Sequence, residues 1–282
     1  MKFSKLKIVL IFYFLNQYPI YSQEKLDVFI KDNSGKPITY VSVIWGKSIG
    51  LVTDTAGYLQ IPDKSKIDSL TVSAIGFANK IMRKDSVLNK SKIDISLERS
   101  IIELPEVIIT KYSVENDYGC DDGKRQTSYI KNGFCTNLQS ALLVNSYNYP
   151  ARCKSISVFI SKQSSTTILY RLRLYEIGKD SLPGKDLLAE NLIVNSYKTN
   201  SWNTYSLDSN TIQLPKNGFF AAIEWLCTDI KSENGLCIGL TSKIDKPITY
   251  YKYGNVGWFQ LKYKTGISKD NIMIKVKIAS VK

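Results

Sequence analysis

Residues 170–177 read YRLRLYEI. In an extended strand successive side chains point to opposite faces, so Leu172 and Leu174 share one face while Arg171 and Arg173 share the other. An apolar face under a charged one is the pattern of an antiparallel strand buried on one side. The same period runs outward in both directions. SALLVNS, KSISVFIS, GFFAAIEWLC, LCIGLTS, ITYYKY, GWFQLKY and NIMIKVKIA all read as strands, separated by short polar breaks. LLAENLIVNS and WNTYSLD extend the series, which predicts a large sandwich, jelly-roll-like, over residues 131–282.

A second, smaller set precedes it. LDVFIKD, ITYVSVIWG, GLVTD, YLQIP, SLTVSAIGF, KIMR and KIDISLE alternate without helical periodicity, and Gly35, Pro37 and Gly57 punctuate them. Six or seven short strands at this spacing predict a small β-sandwich over residues 23–110. The fold class expected is therefore all-β, with two sandwich domains. KYSVENDYGCDDGKRQTSYI, residues 111–130, breaks the pattern and reads as a linker or the lead-in to the second domain.

The first set also resembles a known family. The Gly35–Pro37 turn, the strand from Val41 to Trp45, the Thr53-Asp54…Gly57 turn, Ile75-Gly76-Phe77 and the closing Glu106-Val107-Ile108-Ile109-Thr110 follow the order of a carboxypeptidase-regulatory-like domain. This is a transthyretin-like sandwich, found on many exported proteins and at the N-terminus of TonB-dependent receptors. The resemblance implies a non-catalytic folding or interaction module. Too little chain follows for a receptor barrel, so the receptor function is not implied.

The chain opens MKFSKLKIVLIFYFLNQYPIYSQ, with Lys2, Lys5 and Lys7 ahead of the apolar run Ile8 to Leu15. That run is far shorter than the roughly 20 residues a membrane-spanning helix needs. It fits the apolar core of a secretory signal peptide over residues 1–22, cut near Ser22. No transmembrane segment is expected in the mature chain. The expected location is the periplasm, the outer-membrane or cell surface, or the medium. Net charge is +13, and losing the three lysines leaves +10. The lysines are scattered rather than striped, so they read as a solvated surface and not as a nucleic-acid footprint.

Histidine is absent. That removes Ser-His-Asp and Cys-His nucleophile pairs, His-ligated zinc and the commonest base at neutral pH. No cofactor and no metal are expected. Asp117, Asp121 and Asp122 lie near two glycines, but their spacing is not that of a calcium loop, and solvated linker is the favoured reading. The five cysteines are an odd number, which leaves one thiol over in an oxidising compartment. Cys227 and Cys237 flank TDIKSENGL symmetrically and are the first disulfide candidates; Cys135 with Cys153 is the second.

Asp32, Asp54 and Asp63 sit where turns need side-chain acceptors, and turn capping is their expected role. Glu224 is the acid expected to be buried, and a salt bridge to Arg171 or Arg173 is favoured over a hydrolytic role. Trp45 and Trp225 read as core. Trp202, Tyr251, Tyr253 and Trp258 are the candidate ligand-binding residues, because flat amphipathic rings suit stacking on a sugar face. Tyr250 and Tyr251 point to opposite faces, so one of them belongs to the core. The expected function is an exported non-catalytic binding or interaction protein of a bacterial envelope, with carbohydrate as candidate ligand and a glycan or envelope protein as partner. The alternatives are a structural protein docking envelope partners and, last, a carboxylate-based glycoside hydrolase.

Overall fold

A computed structural model describes residues 24–100, 112–120, 128–132, 137–162, 164, 168–207, 212–228, 235–243, 246, 248–263, 266–267 and 269–282. The expected signal peptide, the 106–110 strand, Asp121, Asp122 and Cys135 lie outside the described residues. The chain is all-β, with three short 3₁₀ turns as its only helical elements among the described residues.

The first sandwich comprises β1 (Leu26–Asp32), β2 (Ser42–Trp45), β3 (Ile49–Val52), β4 (Tyr58–Ile61), β5 (Ser69–Ser73), β6 (Lys80–Arg83) and β7 (Lys92–Leu97). Its three-stranded sheet runs β4-β1-β7, and its four-stranded sheet runs β3-β2-β5-β6. β1 and β7 are parallel; the other pairs are antiparallel. Alternate residues Val28, Ile30, Val43, Trp45, Leu70, Val72, Ile93 and Ile95 are buried between the sheets, each such side chain contributing about 1.5–3 kcal/mol. The turns close as their aspartates suggest. Asp32 accepts from the amides of Ser34 and Lys36, Asp54 from those of Ala56 and Tyr58, and Asp63 from that of Ser65. Gly57 has φ +71°, and a Cβ there would sit 2.4 Å from the Ile30 carbonyl oxygen, so only glycine fits.

The second sandwich begins with β8 (Val114–Gly119), β9 (Ser128–Asn132), β10 (Gln139–Val144), β11 (Ala151–Ile160) and β12 (Leu169–Ile177). It continues through β13 (Pro183–Asp186), β14 (Leu192–Asn195), β15 (Ser201–Ser206), β16 (Ile212–Gln213), β17 (Phe219–Trp225), β18 (Leu236–Thr241) and β19 (Thr249–Lys252). It ends with β20 (Lys262–Tyr263), β21 (Gly266–Ile267), β22 (Asn271–Ile272) and β23 (Ile274–Ser280). One sheet runs β13-β12-β17-β10-β19 with β14 also on β12. The other runs β22-β18-β11-β23-β8, with β15 and β16 on β11 and β9 on β18. Between them lie Leu172, Leu174, Phe219, Ile223, Trp225, Ile156, Val158, Val276 and Ile278, all buried.

One expectation is refined here and one changes. The segment expected as linker or as lead-in to the second domain contributes strands to the second sandwich: Val114–Gly119 pairs with β23 along its whole length, and Ser128–Asn132 pairs with β18. Glu115, Asn116 and Asp117 are exposed on this edge strand, so no buried alternation marks it in the sequence. The disulfide pairing changes. Cys227 is disulfide-bonded, yet Cys237 is a thiol whose Sγ lies 3.9 Å from the Gly235 carbonyl oxygen. Cys227 follows β17 in one sheet and Cys237 belongs to β18 in the other, so the two do not face each other as neighbours in one hairpin. Cys153 is also a buried free thiol, which excludes it as a partner for Cys135.

Candidate functional site

The sequence puts Arg171, Arg173, Tyr175, Ala222 and Glu224 on the face of their sheet that points away from the core of the second sandwich. Water does not cover that face. The four-stranded sheet of the first sandwich does, and it presents the alternate residues Ser42 and Ile44 of β2, themselves buried. The two sandwiches are also tied by backbone. The Val52 amide donates to the Cys227 carbonyl at 2.8 Å, and the Asn255 amide donates to the Lys47 carbonyl at 3.1 Å. Gly254, with φ +52°, lets its loop lie against Ser48, whose Cα would be 2.5 Å from an added Cβ.

Strand register sets the charges in rows. Arg171 of β12 stands opposite Glu224 of β17, which stands opposite Gln139 of β10, which stands opposite Lys252 of β19. The next row is Arg173, Ala222, Ala141 and Tyr250. Two alanines at the centre leave a hollow that the longer side chains border. Glu224 is the hub of the first row. Its Oε2 accepts from Arg171 Nη1 at 2.8 Å and Arg173 Nη1 at 3.0 Å, and its Oε1 accepts from the Ser42 hydroxyl at 2.8 Å. Arg171 also donates to the Tyr40 carbonyl. Burial pushes the Glu224 carboxyl up, but the charges of Arg171 and Arg173 and the hydrogen bonds from Ser42 and Arg171 outweigh it. The group is held down to about 2.

Above this hub a cleft of about 630 Å³ opens between the sandwiches, walled by Ser73, Phe77, Arg173, Asp186, Lys252 and Trp258 among others. Arg173 donates through Nε to Asp186 at 2.8 Å, and its guanidinium lies 4.9 Å from the centre of the Tyr175 ring. Tyr175 donates to Gln139 Oε1 at 2.6 Å and meets Trp258 edge-on at 5.7 Å. Burial raises the Asp186 carboxyl above its usual range, and Arg173 only partly offsets this.

Lys252 differs from its neighbours. Among the described residues its ammonium has no ion pair and no hydrogen bond, and it lies 5.9 Å from the centre of the Trp258 ring. Burial and then the charge of Arg173 lower its pKa, with Glu224 opposing. The cleft wall thus carries three cations, Arg173, Lys185 and Lys252, against two carboxylates, Glu224 and Asp186, and both carboxylates are engaged by arginines, Arg171 reaching Glu224 from beneath.

The expected salt bridge from Glu224 to an arginine is present, and to both arginines. Trp45 and Trp225 are core, and of the two neighbouring tyrosines Tyr251 is the buried one. The four aromatic candidates do not share a surface. Trp258 lines the cleft and Tyr253 lies on the loop leading to it, while Tyr251 points into the core against Phe259. Trp202 lies on the opposite sheet, edge-on to Phe159 and under Lys275. Arg173, Lys252, Gln139 and Tyr175 were not foreseen as one site, because their convergence comes from register between distant strands. Among the described residues no cluster of acids and thiols could hold a metal, and no helix is long and apolar enough to cross a membrane.

No family model matches the chain, and no curated protein matches it. Among solved structures it resembles the clostridial cysteine protease Cwp84 after propeptide cleavage, at 12% identity and a TM-score of 0.46, over 86% of this chain and 66% of that one. It also resembles the cysteine protease and lectin-like domains of Cwp84, a surface-layer-associated protein of Clostridium difficile. That match has 10% identity and a TM-score of 0.45, over 85% of this chain and 58% of that one. The chain thus spans less than two thirds of one neighbour and about two thirds of the other, and likeness at this level assigns no activity.

The expectation of an exported non-catalytic binding module for carbohydrate, or of a docking protein, is corrected, because the aromatic surface on which the expectation rested is divided between two sheets, with Trp258 at the cleft and Trp202 on the other sheet. The glycoside hydrolase alternative falls with it, since Glu224 has both oxygens engaged and sits well below the range of a general acid. Cysteine chemistry is equally remote at Cys120 and Cys153, whose thiols burial pushes up to about 12.

Proposed function

We propose that the cleft between the sandwiches is the working site and that it takes a small organic anion. The observation that carries this is Lys252: a partly buried ammonium with no counter-ion among the described residues, in a cleft where Arg173, Glu224 and Asp186 are paired with one another and the second lysine, Lys185, is exposed. A bound carboxylate would remove the mismatch, restoring the charged form that burial disfavours. Trp258 and Phe77 offer apolar surface to the rest of such a molecule, the usual composition of a small-molecule site with few polar groups placed for orientation. Glu224 and its arginines act as the fixed floor, since each charge there already meets an opposite one.

The disulfide at Cys227 supports an oxidising compartment and hence export. The three-plus-four sheet arrangement and the Asp54 turn support the resemblance of the first sandwich to a carboxypeptidase-regulatory-like domain.

Calorimetric titration of the full chain with benzoate and with neutral benzamide tests the reading. Benzoate binds, benzamide binds at least about tenfold more weakly, equivalent to 1.4 kcal/mol, and Lys252→Met removes the difference. Equal binding of both probes, or of neither, contradicts it.

A further inference from the structure

A second group bordering the cleft lacks a partner, and the inference drawn from it rests on the anion-site reading. Asn137 borders the cleft and is only 3% exposed, yet neither its side-chain oxygen nor its side-chain nitrogen makes a hydrogen bond among the described residues. Buried polar groups are nearly always paired, because an unmet one has lost its water and gained nothing. The other buried polar groups on this wall, Ser42, Gln139 and Glu224, all have partners. Asn137 is the exception. Its backbone is left-handed, with φ +49°, a conformation that asparagine adopts more readily than most residues. Its side chain packs over Gly50 of β3, where an added Cβ would lie 3.2 Å from the carboxamide carbon. The bare glycine thus makes room for the carboxamide between the two sandwiches. Asn137 precedes Gln139 by two residues, and Gln139 stands opposite Lys252 across the β10–β19 ladder. Carboxamide and ammonium therefore reach the cleft from adjacent segments, as two residues with separate unmet needs.

The chemistry of the two groups specifies what would meet both. A carboxamide has N–H donors and a carbonyl acceptor, so its complement is a group that both accepts and donates. A secondary amide does this with its own C=O and N–H in one plane. The ammonium of Lys252 only donates, and its complement is an anion. Phe77 and Trp258 add apolar surface, and about 630 Å³ is room enough for one small molecule carrying all three features. We infer that the cleft selects N-acylated amino acids, with the carboxylate at Lys252, the acyl amide paired with Asn137 and an apolar group against Phe77 and Trp258.

The test is calorimetric titration of the full chain with hippurate and with 4-phenylbutanoate, which keeps the ring, the chain length and the carboxylate but has carbon in place of the amide. Hippurate is expected to bind at least about tenfold more tightly, since a site built to pair with a polar group rejects the analogue that lacks it. Asn137→Gly removes the carboxamide, glycine being at ease at that φ, and the two ligands then bind alike. The comparison is read first on the unaltered chain, so a folding defect in the variant does not hide the outcome. Equal binding of the two by the unaltered chain, with benzoate still bound, overturns the amide pairing and leaves the anion site standing. A preference that survives Asn137→Gly overturns the assignment to Asn137. Failure of hippurate, 4-phenylbutanoate and benzoate alike to bind overturns both readings.

Discussion

The two faces of the sheet containing β12 and β17 differ in chemistry although both are buried. The inner face carries Tyr170, Leu172, Leu174, Phe219, Ile223 and Trp225, an apolar layer that is stabilised by removal from water. The outer face carries Arg171, Arg173, Tyr175, Ala222 and Glu224, and it is stabilised only because each charge meets another. Alternation in sequence separates the two faces but does not say that the charged one is covered. The lesson is that a polar strand face can be an interface when a second sandwich supplies the missing partners, here Ser42 and the Tyr40 carbonyl.

The comparison can be broken at Glu224. Glu224→Ala leaves two arginines facing each other in a closed space and is expected to cost about 3–5 kcal/mol, measured by chemical denaturation. Glu224→Leu combined with Arg171→Met, which removes charge from both sides, is expected to cost less than the single change. Acid tests the same group without mutation. The Glu224 carboxyl lies near 2 when folded against an ordinary 4.5, so the stability it contributes is present above about pH 4.5 and is lost as pH falls toward 2. The loss amounts to about 3 kcal/mol, and Glu224→Gln flattens that part of the stability curve.

The inner face responds to volume and not to charge: Ile223→Val, one residue away on the same strand, costs about 1 kcal/mol at any pH. The smallest effect has the opposite sign. Because Lys252 is easier to deprotonate in the fold than in the open chain, its charge opposes folding at neutral pH. Lys252→Met is therefore expected to stabilise the chain by less than about 1 kcal/mol while abolishing anion binding, the usual trade at a working site.

Much of the architecture was legible in the sequence because it depends on period-two patterning. Val43 and Trp45 against Ser42 and Ile44, and Leu172 and Leu174 against the arginines, assign faces directly. The ion pair at Glu224 was legible too, since an acid in FFAAIEW has few ways to be buried. What the pattern could not reveal lies in long-range pairing. Val114–Gly119 is polar and exposed, and only its ladder with β23 makes it a strand. Cys227 and Cys237 are close in sequence but in opposite sheets. Lys252 looks like any surface lysine until register puts it in line with Glu224 and Gln139. The aromatic residues misled for the same reason, because Trp202 and Trp258 share a composition but not a sheet.

The central claim is that Lys252 is a cation held in the cleft for want of an anion. Competitive labelling of the full chain with trace acetic anhydride across pH, resolved peptide by peptide, reads the titration of each lysine. Run with and without saturating benzoate, it should show Lys252 titrating below the ordinary lysine value and moving upward when benzoate is present. If Lys252 titrates at the ordinary lysine value and benzoate leaves it unmoved, its ammonium is ordinary and solvated, and the cleft is not an anion site.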